Sequence, residues 1–206
     1  MRQEHVVLPP LGRMMVFVDG ENLVQRFQAM VAEGRELRED ARIAHEKDIY
    51  VWSPNFSVRT GLNQVVRASY YTYAFGDNNR IQQIKDAIKD LPSGQYSDPR
   101  IQWVGGSLLN SLYPVVFKKE RGKKAKGVDI QLTVDILSNV YKDNVDSIYL
   151  ISGDGDYKPV IEEAIRHGKH VYVAALSSGL NKELKYIADQ FIDLDAYYFK
   201  PDVNEI

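Results

Sequence analysis

Three separated acidic segments hold the residues with the most chemical potential in this chain: Asp19-Gly20-Glu21-Asn22, Lys126-Gly127-Val128-Asp129 and Ser152-Gly153-Asp154-Gly155-Asp156-Tyr157. Carboxylates gathered in one place repel each other, and a carboxylate buried alone at the end of an apolar strand is expensive. A hard divalent cation with oxygen ligands, Mg²⁺ or Mn²⁺, relieves both problems. Asp19, Asp129 and Asp154 are the candidate ligands, with Asp156 as a fourth. The chemistry such a site supports is divalent-metal phosphoryl transfer.

Each of these residues also has an ordinary structural role open to it. Asn22 either caps the helix that follows or uses its amide to orient Asp19 or a metal-bound water. Asp129 opens a helix, where the dipole favours an acid in any case. At 100° per residue it shares a stripe with Leu132, Thr133 and Ile136, which predicts that its face points inward. Asp135 falls about 120° around from that stripe and is expected to support the site through hydrogen bonds. Two glycines bracket Asp154 and let the backbone aim Asp154 and Asp156 at one point, although Asp156 serves equally well as the cap of the next helix. Ser152 can bond a carboxylate or a phosphate, or simply satisfy the strand end.

A basic block from Lys118 to Lys126, including Lys123, Lys124 and Lys126, runs up to Asp129 although the chain as a whole carries a net charge of -2. A basic rim beside an acidic cluster draws in a phosphate backbone, which makes Lys123, Lys124 and Lys126 candidate substrate contacts. The plain alternative is a solvated loop.

The elements that must position these groups follow from hydrophobic patterning. Met14–Val18 and Ile148–Ile151 are apolar runs that read as buried strands, each leading directly into an acidic segment. Val65–Phe75, Val171–Leu176 and Ile101–Val104 read as further strands, Ile49–Trp52 as a short one, and Leu108–Phe117 as undecided because of Pro114. Helices are predicted from Asn22 to Gly34, over Ile81–Leu91, over Val128–Val140, and after Pro159 with Val160, Ile161, Ala164 and Ile165 facing the core. A last helix after Ser178 carries Leu184, Ile187 and Phe191. Arg35–Asp48 reads as a second helical segment or an insertion. Strands alternating with helices imply a parallel sheet between helical layers, and ligands bind such sheets at the carboxyl ends of the strands. Residues 1–13 read as a leader and 14–206 as a single domain.

Composition excludes several function classes. The chain has 206 residues and no cysteine, which removes disulfides, thiolate metal sites and thiol nucleophiles. The four histidines, His5, His45, His167 and His170, show no zinc spacing. No P-loop, dinucleotide fingerprint or nucleophile elbow is present. No window approaches the roughly 20 apolar residues of a membrane span, and no signal pattern opens the chain, so the expected location is the cytoplasm without a membrane partner. Of the run Tyr70, Tyr71 and Tyr73, alternate members are expected in the core and the others are free to stack on bases.

The three segments, with Asp135 following the second, resemble the NYN domains, and more closely the LabA-like branch of the PIN-like nuclease superfamily. Ser177-Ser178-Gly179-Leu180 through Leu184, Ala188-Asp189 and Phe191-Ile192-Asp193-Leu194 add to the resemblance. It implies a PIN-like three-layer α/β/α sandwich with a central, mainly parallel sheet. It also implies a metal-dependent ribonuclease in which Asp19, Asp129, Asp154 and Asp156 bind Mg²⁺ or Mn²⁺ and Asn22 supports Asp19. The implied partner is single-stranded RNA, and self-association is left open. Two rivals remain: a non-catalytic RNA-binding or regulatory module that retains the acidic cleft, and a phosphatase acting on small phosphate esters.

Overall fold

The computed structural model describes residues 12–53, 63–92, 111–119 and 127–201. In chain order the strands are β1 (Gly12–Asp19), β2 (Ala44–Glu46), β3 (Tyr50–Trp52), β4 (Asn63–Ala74), β5 (Tyr113–Lys118), β6 (Ser147–Ile151), β7 (His170–Ala175) and β8 (Gln190–Asp193). The helices are α1 (Gly20–Ala32), α2 (Asn78–Lys89), α3 (Val128–Tyr141), α4 (Lys158–Arg166), α5 (Leu184–Ile187) and α6 (Asp195–Tyr198).

Six strands form one sheet in the order β5-β4-β1-β6-β7-β8, and every pairing in it is parallel. Strands buried on both faces read as continuous apolar runs, which is why Ile148–Ile151 is legible as a strand and all of β6 is buried. Alternate residues of β1 divide between two cores. Met14, Val16 and Val18 pack with α1, α2 and Trp52, while Phe17 packs with α3 and α4. Helices thus cover both faces, giving the three-layer α/β/α sandwich. Among the described residues no helix is long and apolar enough to cross a membrane.

The structure resolves two open readings and corrects a third. Arg35–Asp48 contains no helix; its end forms β2, which pairs antiparallel with β3 as a hairpin packed beside α1. Pro114 lies inside β5, opposite Tyr70, and is tolerated because β5 is an edge strand with a single partner. Phe191 lies in β8 and not on a helix, since the preceding α5 is only four residues long. Ile165, expected in the core, is 37% exposed near the end of α4. The expected strand Ile101–Val104 lies outside the described residues.

Tyr70 fastens the hairpin to the sheet. Its fully buried hydroxyl accepts from the Val51 N–H at 3.1 Å and donates to the Val51 carbonyl at 3.2 Å. Tyr70→Phe removes the partner of two buried backbone groups and is expected to cost about 2–3 kcal/mol, read from the shift of the urea unfolding midpoint. A loss under about 0.5 kcal/mol would mean that apolar packing alone holds the hairpin.

Candidate acidic active site

Numbered along the sheet alone, the strand order is 3-2-1-4-5-6, and the chain reverses its direction of travel between β1 and β6. The crevice outside the carboxyl ends of strands at such a reversal is where doubly wound sheets bind ligands. Asp19 ends β1, and Ser152 follows the last residue of β6. The first and third acidic segments therefore meet at that crevice.

Asp19 is 2% exposed. One carboxylate oxygen accepts the Asn22 backbone N–H at 3.0 Å and the other accepts the Ser152 hydroxyl at 2.9 Å. Asp19 is therefore itself the cap of α1. The Asn22 side chain does a different job: its oxygen accepts the Gly153 N–H at 3.0 Å and ties the start of α1 to the loop after β6. Ser152 donates to Asp19 and accepts the Asp154 N–H at 3.1 Å, so one hydroxyl links two of the acids.

Asp154, not Asp156, is the capping residue on the third segment. Its side chain accepts the Asp156 N–H at 3.0 Å at the head of the single helical turn Gly155–Tyr157, and Asp156 is exposed. Of the two glycines around Asp154, Gly155 is the one pressed by a neighbour, whereas a Cβ on Gly153 would meet only ordinary van der Waals contacts. A Cβ on Gly155 would sit 2.9 Å from Asn181 Cγ, and the Asn181 N–H donates to the Gly153 carbonyl at 3.0 Å. The loop after β7 thus lies directly against the acidic loop.

Asp129 departs from its expected orientation. The buried stripe of α3 is Val128, Leu132, Ile136 and Val140, and Asp129 is exposed at the helix start. The Tyr157 hydroxyl donates to it at 3.3 Å. Asp135 accepts the Tyr71 hydroxyl at 2.8 Å and the Gln131 amide at 2.8 Å, deeper between α3 and the sheet. Lys123, Lys124 and Lys126 lie outside the described residues.

The electrostatics show how the acids gather. Burial pushes the Asp19 carboxyl up to about 6 against the opposing pull of its two hydrogen bonds, and the charges of Asp129 and Asp154 add to the rise. The Tyr157 hydroxyl is pushed strongly up, first by burial and then by Asp19, Asp129 and Asp154 together. Tyr157 thus marks the point on which acids from all three segments act.

Sequence reasoning passed over Tyr157 and Glu21, although both stand inside the quoted motifs. Glu21 is half-buried; burial raises its carboxyl, Lys119 lowers it and Asp129 raises it further. A polar residue adjoining a motif acid was the available signal.

The donor set consists of carboxylates supported by an amide and hydroxyls, with a buried acid whose charged neighbours are other acids. That composition fits a hard divalent cation. As the side chains stand, no group of three acids or histidines among the described residues closes on a single ion. Mg²⁺ characteristically uses one or two carboxylates and retains several waters, so the arrangement fits a hydrated ion better than an all-protein cage.

Comparison with known proteins agrees with this architecture. A family model described as the NYN domain matches residues 13–195. The Low amplitude and bright protein LabA of Synechococcus elongatus is 32% identical over 191 residues, covering 89% of this chain and 84% of that protein. An uncharacterized protein of Methanocaldococcus jannaschii is 34% identical over 119 residues, 57% of this chain, and the match spans only 48% of its own length. The crystal structure of a protein of unknown function from Vibrio parahaemolyticus superimposes with a TM-score of 0.52 at 19% identity, covering 97% of this chain and 100% of that one, a likeness of fold. With a family match across nearly all of the sheet and its acidic crevice, the chain belongs to the NYN domain family of the PIN-like nuclease superfamily.

Proposed function

We propose that this chain is a divalent-metal-dependent ribonuclease that hydrolyses phosphodiester bonds in single-stranded RNA. The observation that carries the reading is Asp19, a carboxylate 2% exposed at the sheet reversal, with Asp129 and Asp154 as its charged neighbours. Family membership supports a nuclease; the metal and the RNA are inferred.

Asp19, Asp129 and Asp154 would hold Mg²⁺ or Mn²⁺, which when bound polarises the scissile phosphate and lowers the pKa of a coordinated water. Ser152 and the Asn22 N–H fix both Asp19 oxygens, so that carboxylate is set in place before substrate arrives. Asn22, through Gly153, keeps the first and third segments in register. Asp156, exposed beside Asp154, would hold a second cation or orient the attacking water. Lys123, Lys124 and Lys126 contact flanking phosphates, which gives affinity without sequence choice.

The test is incubation of a labelled single-stranded RNA with purified protein and Mg²⁺ or Mn²⁺, beside Asp154→Asn and Asp129→Asn. Cleavage should require the cation and fall at least about 100-fold in each variant, since removing one preorganised electrostatic group costs 10²–10³ in rate. The rival reading is an RNA-binding or regulatory module without turnover. That module would retain RNA without cutting it, with or without the cation. Hydrolysis of a chromogenic phosphomonoester in place of RNA would point to a phosphatase instead.

A further inference from the structure

We propose that Phe75, with Tyr73 and Lys119, forms a stacking subsite for an unpaired nucleobase beside the acidic cleft; this rests on the reading of the cleft as an RNA-cleaving site.

β4 continues past the end of β1. Asp19 pairs with Tyr71, the strand runs on to Ala74, and Phe75 follows. Alternate residues on a strand share a face, so Tyr71, Tyr73 and Phe75 form one column on the side facing α3. Their exposure rises along it. Tyr71 is buried with its hydroxyl on Asp135, Tyr73 is half-buried, and Phe75 is 46% exposed. At about 3.3 Å per residue, Phe75 stands roughly 13 Å beyond the level of Asp19.

The upper two rings form an edge-to-face pair, with centroids 6.2 Å apart and planes at 84°. The Lys119 ammonium lies 3.7 Å from the Tyr73 centroid and 5.7 Å from that of Phe75. Its position is fixed from the backbone, because the Lys119 N–H donates to the Ala74 carbonyl at 2.9 Å and extends the β4–β5 ladder. On the other side the group meets the acids. Tyr73 and Lys119 both act on the Glu21 carboxylate, and Asp129 opposes them.

A wet aromatic ring, a cation held over aromatic faces and an adjoining acidic cleft are the parts of a single-strand binding platform. Every base has a π-face, so the platform selects for an unpaired base and not for its identity. A base inside a duplex already has its faces covered by its neighbours. Lys119 lies between the exposed ring and Glu21, where it can meet a phosphate of the strand running from the stacked nucleotide to the cleft. Single-strand preference thereby gains a source in this chain's own residues.

The experiment measures binding by fluorescence anisotropy in EDTA, with a single-stranded RNA oligonucleotide and a set of oligonucleotides each carrying one abasic nucleotide. Wild type, Phe75→Ala, Phe75→Leu and Phe75→Trp are compared, and metal-dependent cleavage is measured in parallel. Phe75→Ala and Phe75→Leu should weaken binding about tenfold, and Phe75→Trp should restore it. Loss of the base at one position should weaken wild type by the same factor and leave Phe75→Ala unchanged. Equal binding of intact and abasic RNA by wild type, or undiminished binding by Phe75→Ala, overturns the subsite. If cleavage persists in that case, the nuclease reading stands without it. Absence of RNA binding by folded wild type overturns both.

Discussion

Asp19→Asn is expected to abolish cleavage and, in the same molecule, to stabilise the metal-free protein near neutral pH. The activity loss follows from removal of the buried carboxylate that anchors the acidic cluster. Charge stabilisation of several kcal/mol disappears with it, which corresponds to at least about 10³-fold in rate. The stability gain follows from linkage. In the folded protein burial holds the Asp19 carboxyl at about 6, whereas an unfolded aspartate ionises near 3.9. Above pH 6 the group is charged in both states and the folded protein bears the full penalty, on the order of 3 kcal/mol. As pH falls from about 6 to 4 the folded state takes up a proton that the unfolded state does not, so wild type gains stability. Below pH 4 both states are protonated and the gain stops.

An asparagine escapes that penalty but must turn its NH₂ toward one of the two donors that Asp19 accepts. Ser152 can accommodate it, because its hydroxyl rotates and can accept. Allowing about 1 kcal/mol for the altered hydrogen bond, Asp19→Asn should be more stable than wild type by about 1–2 kcal/mol at pH 7.5. The two should become equal between about pH 4 and 5, below which wild type is the more stable by up to about 1 kcal/mol. Thermal unfolding in EDTA across pH 4–8 reads this directly, and added Mg²⁺ should raise the wild-type Tm but not the variant's. A variant less stable than wild type at pH 7.5 would show that Asp19 is held for its hydrogen bonds and bears no penalty.

Gly20→Ala is expected to be the most damaging single methyl group near the cleft. A Cβ at Gly20 would lie 2.6 Å from the Tyr71 carbonyl oxygen and 2.8 Å from Tyr70 Cζ. Neither can yield easily. The carbonyl belongs to the central sheet, and the Tyr70 ring is fully buried with its hydroxyl held on Val51. Overpacking of this kind costs about 1–3 kcal/mol and more against backbone, so we expect about 3 kcal/mol in urea unfolding. The start of α1 must also move, carrying the Asn22 N–H away from Asp19. Loss of cleavage at temperatures where the variant is still folded would show that displacement. The neighbour that needs the room at Gly20 is the tyrosine pair of β4.

The strands and the acidic crevice were legible because a parallel strand buried on both faces is an unbroken apolar run, and an acid at its end stands out. Met14–Val18 and Ile148–Ile151 show this, and both mark the positions from which Asp19 and Asp154 are presented. The orientation of Asp129 was not legible. Helix α3 has apolar residues on both sides, with Val128, Leu132, Ile136 and Val140 buried while Ile130 and Val134 are exposed, so its period does not single out the buried face. The capping role held open for Asn22 and Asp156 falls instead to an acid two or three residues earlier in each segment. Asp19 caps α1 and Asp154 caps the following turn, and these are the acids that the motif reading held apart from capping. One carboxylate fills both roles because the strand end is also the helix start. Of the β2–β3 hairpin only β3 was legible, as the short run Ile49–Trp52; β2 is three residues of a charged stretch, too short for alternation to show.

The central place of β1 has a consequence for how the molecule is made. Its two edges are filled by β4 and β6, and β6 begins only at Ser147. At 5–20 residues per second, translation from Asp19 to Ser147 takes on the order of ten seconds. Throughout that interval Val16-Phe17-Val18 presents an apolar edge open to other chains, a span in which a chaperone has something to shield. Ser152 reaches Asp19 in the same step that closes the β1–β6 pair, so the cleft is absent from the nascent chain until synthesis has passed that point. A product truncated before Ser147 carries the first acid but not the strand that completes its surroundings.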